Sequence, residues 1–250
     1  AQMLGMVKQF PIQTYGFHSE KAMQLMIEAE RRSFADRSLY LGDSDFIEVP
    51  TNKLLDSIYL IKRMQSFTFE KATPSTDIAP GIIIAKEYDE TTHFSIVDLE
   101  GNAVAATTTL NGNYGSKLYI EEGGYFLNNE MDDFSIKPGF PNMFGLVGGA
   151  ANEIAPEKRM LSAMTPTLVE KDGQLIMILG TPGGPTIITS VFQTILNVYD
   201  YKMSIQKAVD APRFHHQWLP DQVILEPKKF NDQIIKKLQK KGYNIKEKEA

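Results

Sequence analysis

Two threonines, Thr91 and Thr92, stand in "YDETTHFSIVDLEGN" (88–102), where a polar loop turns into an alternating, strand-like run. A threonine hydroxyl is a weak nucleophile at neutral pH, so a catalytic threonine needs a base beside it. Only four histidines could supply one: His18, His93, His215 and His216. His93 would share a strand face with Thr91, but its neighbours offer no clear carboxylate to orient it. The adjacent His215 and His216 would point apart on any regular element. Ordinary structural roles fit all four. The remaining base is an α-amino group, whose reference pKa of about 7.7–8.0 leaves a useful free-amine fraction near neutrality. Thr91 acquires one only if the chain is cut in front of it. Attack of its hydroxyl on the Glu90 carbonyl would give an ester, and water would then release Thr91 with amine and hydroxyl on one residue. The plain alternative is the polar start of a strand.

Other stretches offer complementary groups. "TLN" (109–111) and "NNEMDDF" (128–134) could supply carbonyl and carboxylate acceptors for a substrate ammonium. Such an acidic cluster also reads as a solvated loop, and as a calcium site it lacks a recognisable ligand spacing. "GTPGG" (180–184) lets the backbone approach a substrate closely, with the amides of Gly183 and Gly184 able to meet a developing oxyanion. A simple turn is the alternative there.

Composition excludes several classes. The chain has 250 residues, 42% of them hydrophobic, which suits one large domain or two small ones with a real core. A net charge of −5 and the lack of a phosphate-loop motif argue against a nucleic-acid partner. With no cysteine there is no disulfide, thiol nucleophile or cysteine metal site. No apolar run approaches a membrane span, and "AQMLGMVKQF" does not read as a signal peptide.

The elements that must position these groups change character at "KATPSTDIAPG" (71–81). Before it, Ser19 is placed to cap a helix with Met23, Met26, Ile27 and Phe34 on one apolar face, and a second helix is expected over 52–65. After it come strand-like runs, "HFSIVDL", "AVAATTTL", "GYFLNN" and "TPTLVEKDGQLIMILG", the last with a tight hairpin at Asp172-Gly173. An apolar helix ending at Asp200 and Tyr201 should follow "GTPGG". A final helix should bury Ile234, Ile235 and Leu238, turn its lysines to solvent and stop at Gly242. This order argues for layered α and β structure with mostly antiparallel sheets.

The runs "TTHFSIVDLEGNAVAATTTLNGNYG", "LNNEMDDFSIKPGFPN", "GLVGGAANEIAPEKRMLSAMTPTLV", "GTPGGPTIITSVFQTILNVYDY" and "APRFHHQWLPD", in this order, closely resemble the γ-glutamyltranspeptidase family. The likeness continues upstream through "YGFHSEKAMQLMIEAERRSFADRSLYLGD" and covers nearly the whole chain. It implies an α+β fold, the four-layer αββα sandwich of N-terminal-nucleophile hydrolases, made as a precursor that cuts itself between Glu90 and Thr91. Residues 1–90 would match the end of the large subunit and 91–250 most of the small subunit. Thr91 would be the nucleophile that forms a γ-glutamyl ester, Thr109 its supporting hydroxyl, and Gly183 and Gly184 the oxyanion donors. Asn111, Glu130 and Asp133 would hold the substrate ammonium, Ser162 its carboxylate, and Phe144 would lie in a lid loop (137–150). No metal or organic cofactor is implied. The partners would be a γ-glutamyl donor such as glutathione, an amino-acid, dipeptide or water acceptor, and the rest of the same precursor. The location would be periplasmic or secreted.

The chain departs from the family pattern at three positions. Ala163 replaces the second of two serines, Thr181 replaces a serine, and Phe144 stands where several members have a tyrosine. The family's main carboxylate-binding arginine falls in a part of the precursor outside this sequence, so this stretch alone is expected to have little or no activity. Two alternatives stay open. One is a related acylase acting on glutaryl or poly-γ-glutamyl amides, and the other an unprocessed, non-catalytic binding module.

Overall fold

The structure, a computed structural model, describes residues 1–78 and 91–248. Glu90 and the end of the 71–81 linker therefore lie outside the described residues. Helices fill the first part: α1 (Gln2–Val7), α2 (Glu20–Tyr40), α3 (Thr51–Leu54) and α4 (Ser57–Met64). Ser19 caps α2, its Oγ accepting the Ala22 N–H at 3.2 Å. A single apolar face does not describe this helix. Nearly every position from 22 to 38 is buried, including Gln24, Glu28, Glu30, Arg31, Arg32 and Asp36. The charges go inside because they find partners there. Glu28 meets Arg31 and Arg32, Arg31 reaches Asp221, and Arg63 meets Asp36 at 2.8 Å. The helix expected over 52–65 is split in two, because Asp56 leaves the helical backbone and caps α4 through the Tyr59 N–H at 3.0 Å.

Strands follow. β1 (Thr91–Val97) and β2 (Ala103–Thr109) form an antiparallel hairpin. Asp98 locks its loop, with Oδ1 accepting the Glu100 and Asn102 N–H groups at 3.0 and 2.8 Å. β3 (Tyr119–Ile120) and β4 (Tyr125–Phe126) make a second short pair, followed by a 3-10 turn, Glu130–Asp133. β5 (Thr167–Lys171) and β6 (Gln174–Leu179) pair around Asp172 and Gly173, whose φ angles of 53° and 76° suit the tight turn. The Gly-rich stretch then leads into α5 (Thr186–Tyr199), α6 (Ile205–Asp210), β7 (Phe214–His215), β8 (Val223–Leu225), α7 (Asp232–Lys240) and β9 (Ile245–Glu247). The chain is α+β, and its small sheets pair antiparallel except where β8 meets β9.

The main core is built on α2. It gathers α1, Leu60 and Met64 of α4, Phe192 and Leu196 of α5, Trp218, and Leu238 of α7. Phe144 and Leu146 of the 137–150 loop pack into the same cluster. Each fully buried side chain of this size stabilises the fold by about 1.5–3 kcal/mol, so the loop is fixed to the core rather than draped over it. The lysines around α7 are not all solvated. Lys241 Nζ donates to Gln24 Oε1 at 2.9 Å and to the Phe69 carbonyl at 2.6 Å. No described helix is long and apolar enough to cross a membrane.

Candidate active site

Strand register makes the first contact. Thr91 and Thr109 are cross-strand partners at one end of the β1–β2 hairpin, so their side chains rise from the same face, with the Oγ1 atoms 3.3 Å apart. Thr109 Oγ1 also accepts the Asn111 N–H at 2.9 Å. Asn111 sits at a φ of 73°, a left-handed conformation that asparagine tolerates better than most residues. Its buried side chain donates to the Asn129 carbonyl at 3.3 Å, which ties the end of β2 to the residue before the acidic turn.

Asp133 ends that turn. It is half-buried, and among the described residues its carboxylate accepts no hydrogen bond. Burial pushes its pKa from 3.8 up to about 7, with Glu130 and Asp132 adding to the rise and the Arg37 guanidinium of α2 opposing it. Arg37 is itself lowered to about 10 by burial, against the pull of Asp133. Burial also raises the Glu130 carboxyl. Asp132 is engaged elsewhere: its Oδ2 accepts the Met143 N–H at 2.7 Å and joins the acidic turn to the 137–150 loop. In that loop Asn142 Oδ1 accepts the N–H groups of Phe144 and Leu146 at 3.0 and 3.1 Å, and Gln217 donates to the Phe144 carbonyl at 3.0 Å.

Gly183 and Gly184 have φ angles of 126° and 48°, which side-chain-bearing residues rarely adopt. The turn is held by Thr186, whose N–H and Oγ both donate to the Gly183 carbonyl, at 2.9 and 2.6 Å. The N–H groups of the two glycines bond to no described residue.

These segments meet in one cleft. Thr91, Thr109, Asn111, Asp133, Ser162 and Gly184 line it, and Phe144 and Ala163 lie on its wall. Its enclosed volume of about 20 Å³ holds little more than one water. Glu130 and Gly183 are chain neighbours of this group but do not line the cleft. Glu90 lies outside the described residues. None of the histidines is among the lining residues. His18 stacks between Phe17 and Phe230, His93 is bonded to Thr107 and Ser95, His215 to Thr189 and Gln217, and His216 to Asp221. Motif reading did not single out Met164, Pro185 and Ile187 of the lining, or Arg37 behind Asp133. Their signal is position in space, and no local spacing encodes it. Chemically, the cleft offers one threonine hydroxyl next to another, a carboxylate that accepts no hydrogen bond from a described residue, a further hydroxyl at Ser162, and a backbone turn able to donate.

The γ-glutamyltranspeptidase family model matches residues 1–250. A glutathione hydrolase proenzyme of Escherichia coli (strain K12) is 48% identical over 249 residues, 100% of this chain and 43% of that protein. Another, from Pseudomonas sp. (strain A14), is 46% identical over 225 residues, 90% of this chain and 39% of that protein. The chain thus spans less than half the length of these relatives. Among solved structures, a mutant γ-glutamyltranspeptidase of Helicobacter pylori is 53% identical with a TM-score of 0.61, over 63% of this chain and 84% of that one. A cephalosporin acylase from Bacillus halodurans shares the fold at a TM-score of 0.78 and 23% identity, over 100% of this chain and 43% of that one. Matched along its whole length, the chain belongs to the γ-glutamyltranspeptidase family.

Proposed function

We propose that the chain carries the nucleophile and much of the acyl-binding site of an enzyme that takes a γ-glutamyl group from glutathione or a related compound and passes it to water, an amino acid or a dipeptide. The observation that carries this reading is the convergence of Thr91, Thr109, Asn111, Asp133, Ser162 and Gly184, from separate segments, on one cleft. The precursor would cut itself between Glu90 and Thr91, leaving residues 1–90 in a large subunit and 91–250 in a small one. The assembled fold would be the four-layer αββα sandwich, located in the periplasm or outside the cell.

In this mechanism the freed Thr91 amine takes the proton from its own hydroxyl, which attacks the γ-amide carbonyl. Thr109, 3.3 Å away, orients that hydroxyl. The oxyanion is met by the amides of Gly183 and Gly184, donors of a kind worth about 2.7–4 kcal/mol of barrier. The protonated amine leaves, and water or an acceptor amine releases the acyl group from the ester. Asp133, with Asn111 and Glu130, binds the substrate ammonium, Ser162 binds the carboxylate, and Phe144 closes the pocket by apolar contact. No metal or organic cofactor enters these steps. The test is intact mass spectrometry of the full-length precursor with and without Thr91→Ala, alongside amine release from a γ-glutamyl anilide. Cutting at Glu90–Thr91 and activity should appear together in the wild type only, and an uncut, inert wild type would overturn the reading.

Ala163 and Phe144 remove two hydroxyl donors that the family pattern would supply, which favours a second reading. In it, the enzyme is an acylase acting on glutaryl or poly-γ-glutamyl amides. Relative kcat/KM on a panel of these substrates separates the two.

A further inference from the structure

Asp133 and Ser162 come from segments without a shared ladder, one a 3-10 turn and the other an irregular run ahead of β5. If they grip opposite ends of one amino-acid group, something must fix their separation. Asn152 is placed to do so. It is 5% exposed, and its amide is used at both atoms: Nδ2 donates to the Asp133 carbonyl at 2.7 Å, and Oδ1 accepts the Leu161 N–H at 3.0 Å. Its own carbonyl accepts the Ser135 N–H at 2.8 Å. One buried residue therefore holds the backbone on the C-terminal side of the acidic turn and the backbone just ahead of Ser162.

Asn152 is in turn fixed from outside the cleft. It ends a short 3-10 turn, Ala150–Asn152, whose preceding Gly149 donates its N–H to the Ser38 carbonyl of α2 at 2.9 Å. The Ser162 segment has a second anchor, since Asp43 accepts the Arg159 N–H at 2.8 Å and its guanidinium at 3.0 and 2.5 Å. With both flanks pinned, the Asn152 amide is the direct bridge between the two subsites. The bridge needs a donor and an acceptor on one short side chain, which an amide supplies and a carboxylate does not.

We propose that Asn152 is a positioning residue that sets the spacing of Asp133 and Ser162, and with it the preference for acyl groups bearing both an ammonium and a carboxylate. It touches neither substrate nor Thr91. This inference rests on the functional reading above.

The experiment uses the full-length precursor with Asn152→Ala and Asn152→Asp, each checked for cutting and thermal stability. Asn152→Asp keeps the bond to Leu161 but sets two oxygens against each other at Asp133. KM for a γ-glutamyl anilide should rise about tenfold or more, the size of a hydrogen bond to a charged group, while kcat changes less than about threefold. Inhibition by L-glutamate should weaken by a similar factor, whereas inhibition by glutarate, which lacks the ammonium, should move less than about threefold. A proportionate fall in kcat with unchanged KM would overturn the proposal, as would failure of both variants to accumulate as cut protein, since either outcome marks a structural role. A wild type inert toward the γ-glutamyl anilide would instead overturn the functional reading itself.

Discussion

Replacing Asp133 with asparagine tests whether this carboxylate is kept for a cation that arrives from outside. Burial, with help from Glu130 and Asp132, lifts its pKa from 3.8 to about 7, and Arg37 only partly offsets the rise. Between about pH 4 and 7 the folded protein holds a proton that the unfolded chain has released, so this group's contribution to stability falls as pH rises. The full penalty is present above pH 7. At 1.36 kcal/mol for each pH unit it reaches about 4 kcal/mol, and solvent at a half-buried site reduces it to about 1–3 kcal/mol. Asparagine carries no charge, so Asp133→Asn should be more stable than wild type at pH 8 by about that amount and equal to it near pH 4. Activity should move the other way, because the substrate ammonium needs the ionised carboxylate. A charge-assisted hydrogen bond is worth about 1.5–3 kcal/mol, so kcat/KM for a γ-glutamyl anilide should fall roughly 10- to 100-fold at pH 8. The wild-type KM should also rise on acidification through about pH 7, and that limb should vanish in the variant. Thermal unfolding, and KM resolved from kcat, each followed against pH on the cut full-length protein, make the comparison, because the Thr91 amine gives kcat an acid limb of its own. A variant that is less stable at pH 8, or that keeps the acid limb, would refute the reasoning.

Two further outcomes follow from packing. Glu28 is fully buried, and its carboxylate receives the Thr73 N–H at 3.1 Å and the Tyr243 hydroxyl at 3.0 Å as well as Arg31 and Arg32. Glu28→Ala leaves two buried guanidinium groups short of their partner and should lower unfolding free energy in urea by about 3–5 kcal/mol; a loss under about 1 kcal/mol would show the pairs to be dispensable. A methyl group at Gly180 would overlap the His93 ring, which is held to Thr107 and Ser95 at 2.8 and 3.1 Å. Gly180→Ala should lower stability by about 1–3 kcal/mol and slow turnover through β1, with unchanged Tm and kcat as the contrary result.

What could be read in the sequence was what local chemistry encodes. The Ser19 cap, the Asp172-Gly173 turn and the positions of strands β1 and β2 depend on a few adjacent residues, and the structure has them where the pattern says. The pairing of Thr91 with Thr109 depends on register, which the hairpin loop at Asp98 sets and which no count of apolar residues would give. The interior of α2 was hidden for a different reason. Glu28, Glu30, Arg31 and Arg32 fall outside the apolar face expected of this helix, and they are buried because Thr73, Gln193, Asp221 and Tyr243 meet them from distant parts of the chain. Asn152 was hidden in the same way, in a run of small residues that reads as plain loop. The cut site itself is a matter of sequence alone, since Glu90 lies outside the described residues.

The buried charges of α2 bear on how a precursor could be cut without coming apart. Residues on either side of the proposed cut are joined by more than the chain. Glu30 accepts from Gln193 and from the His216 N–H at 3.1 and 2.9 Å, Arg31 meets Asp221, and Tyr243 donates to Glu28. Nearer the surface, Ala72 donates its N–H to the Lys241 carbonyl at 2.8 Å, and Arg159 holds Asp43. Separating residues 1–78 from 91–248 would give up all of these contacts at once, the Arg31–Asp221 and Arg159–Asp43 ion pairs among them. A hydrophobic helix of the same length would supply similar burial, but such a face could slide or rotate with modest loss. Directional pairs fix α2 in one rotation, and its C-terminal end then presents Arg37 to Asp133 and Ser38 to the loop that carries Asn152. The helix therefore has two physical roles that need the same paired charges. On the proposed cut it would keep the pieces together once the backbone between them is open, and it holds the acidic turn and the Ser162 segment in place from behind.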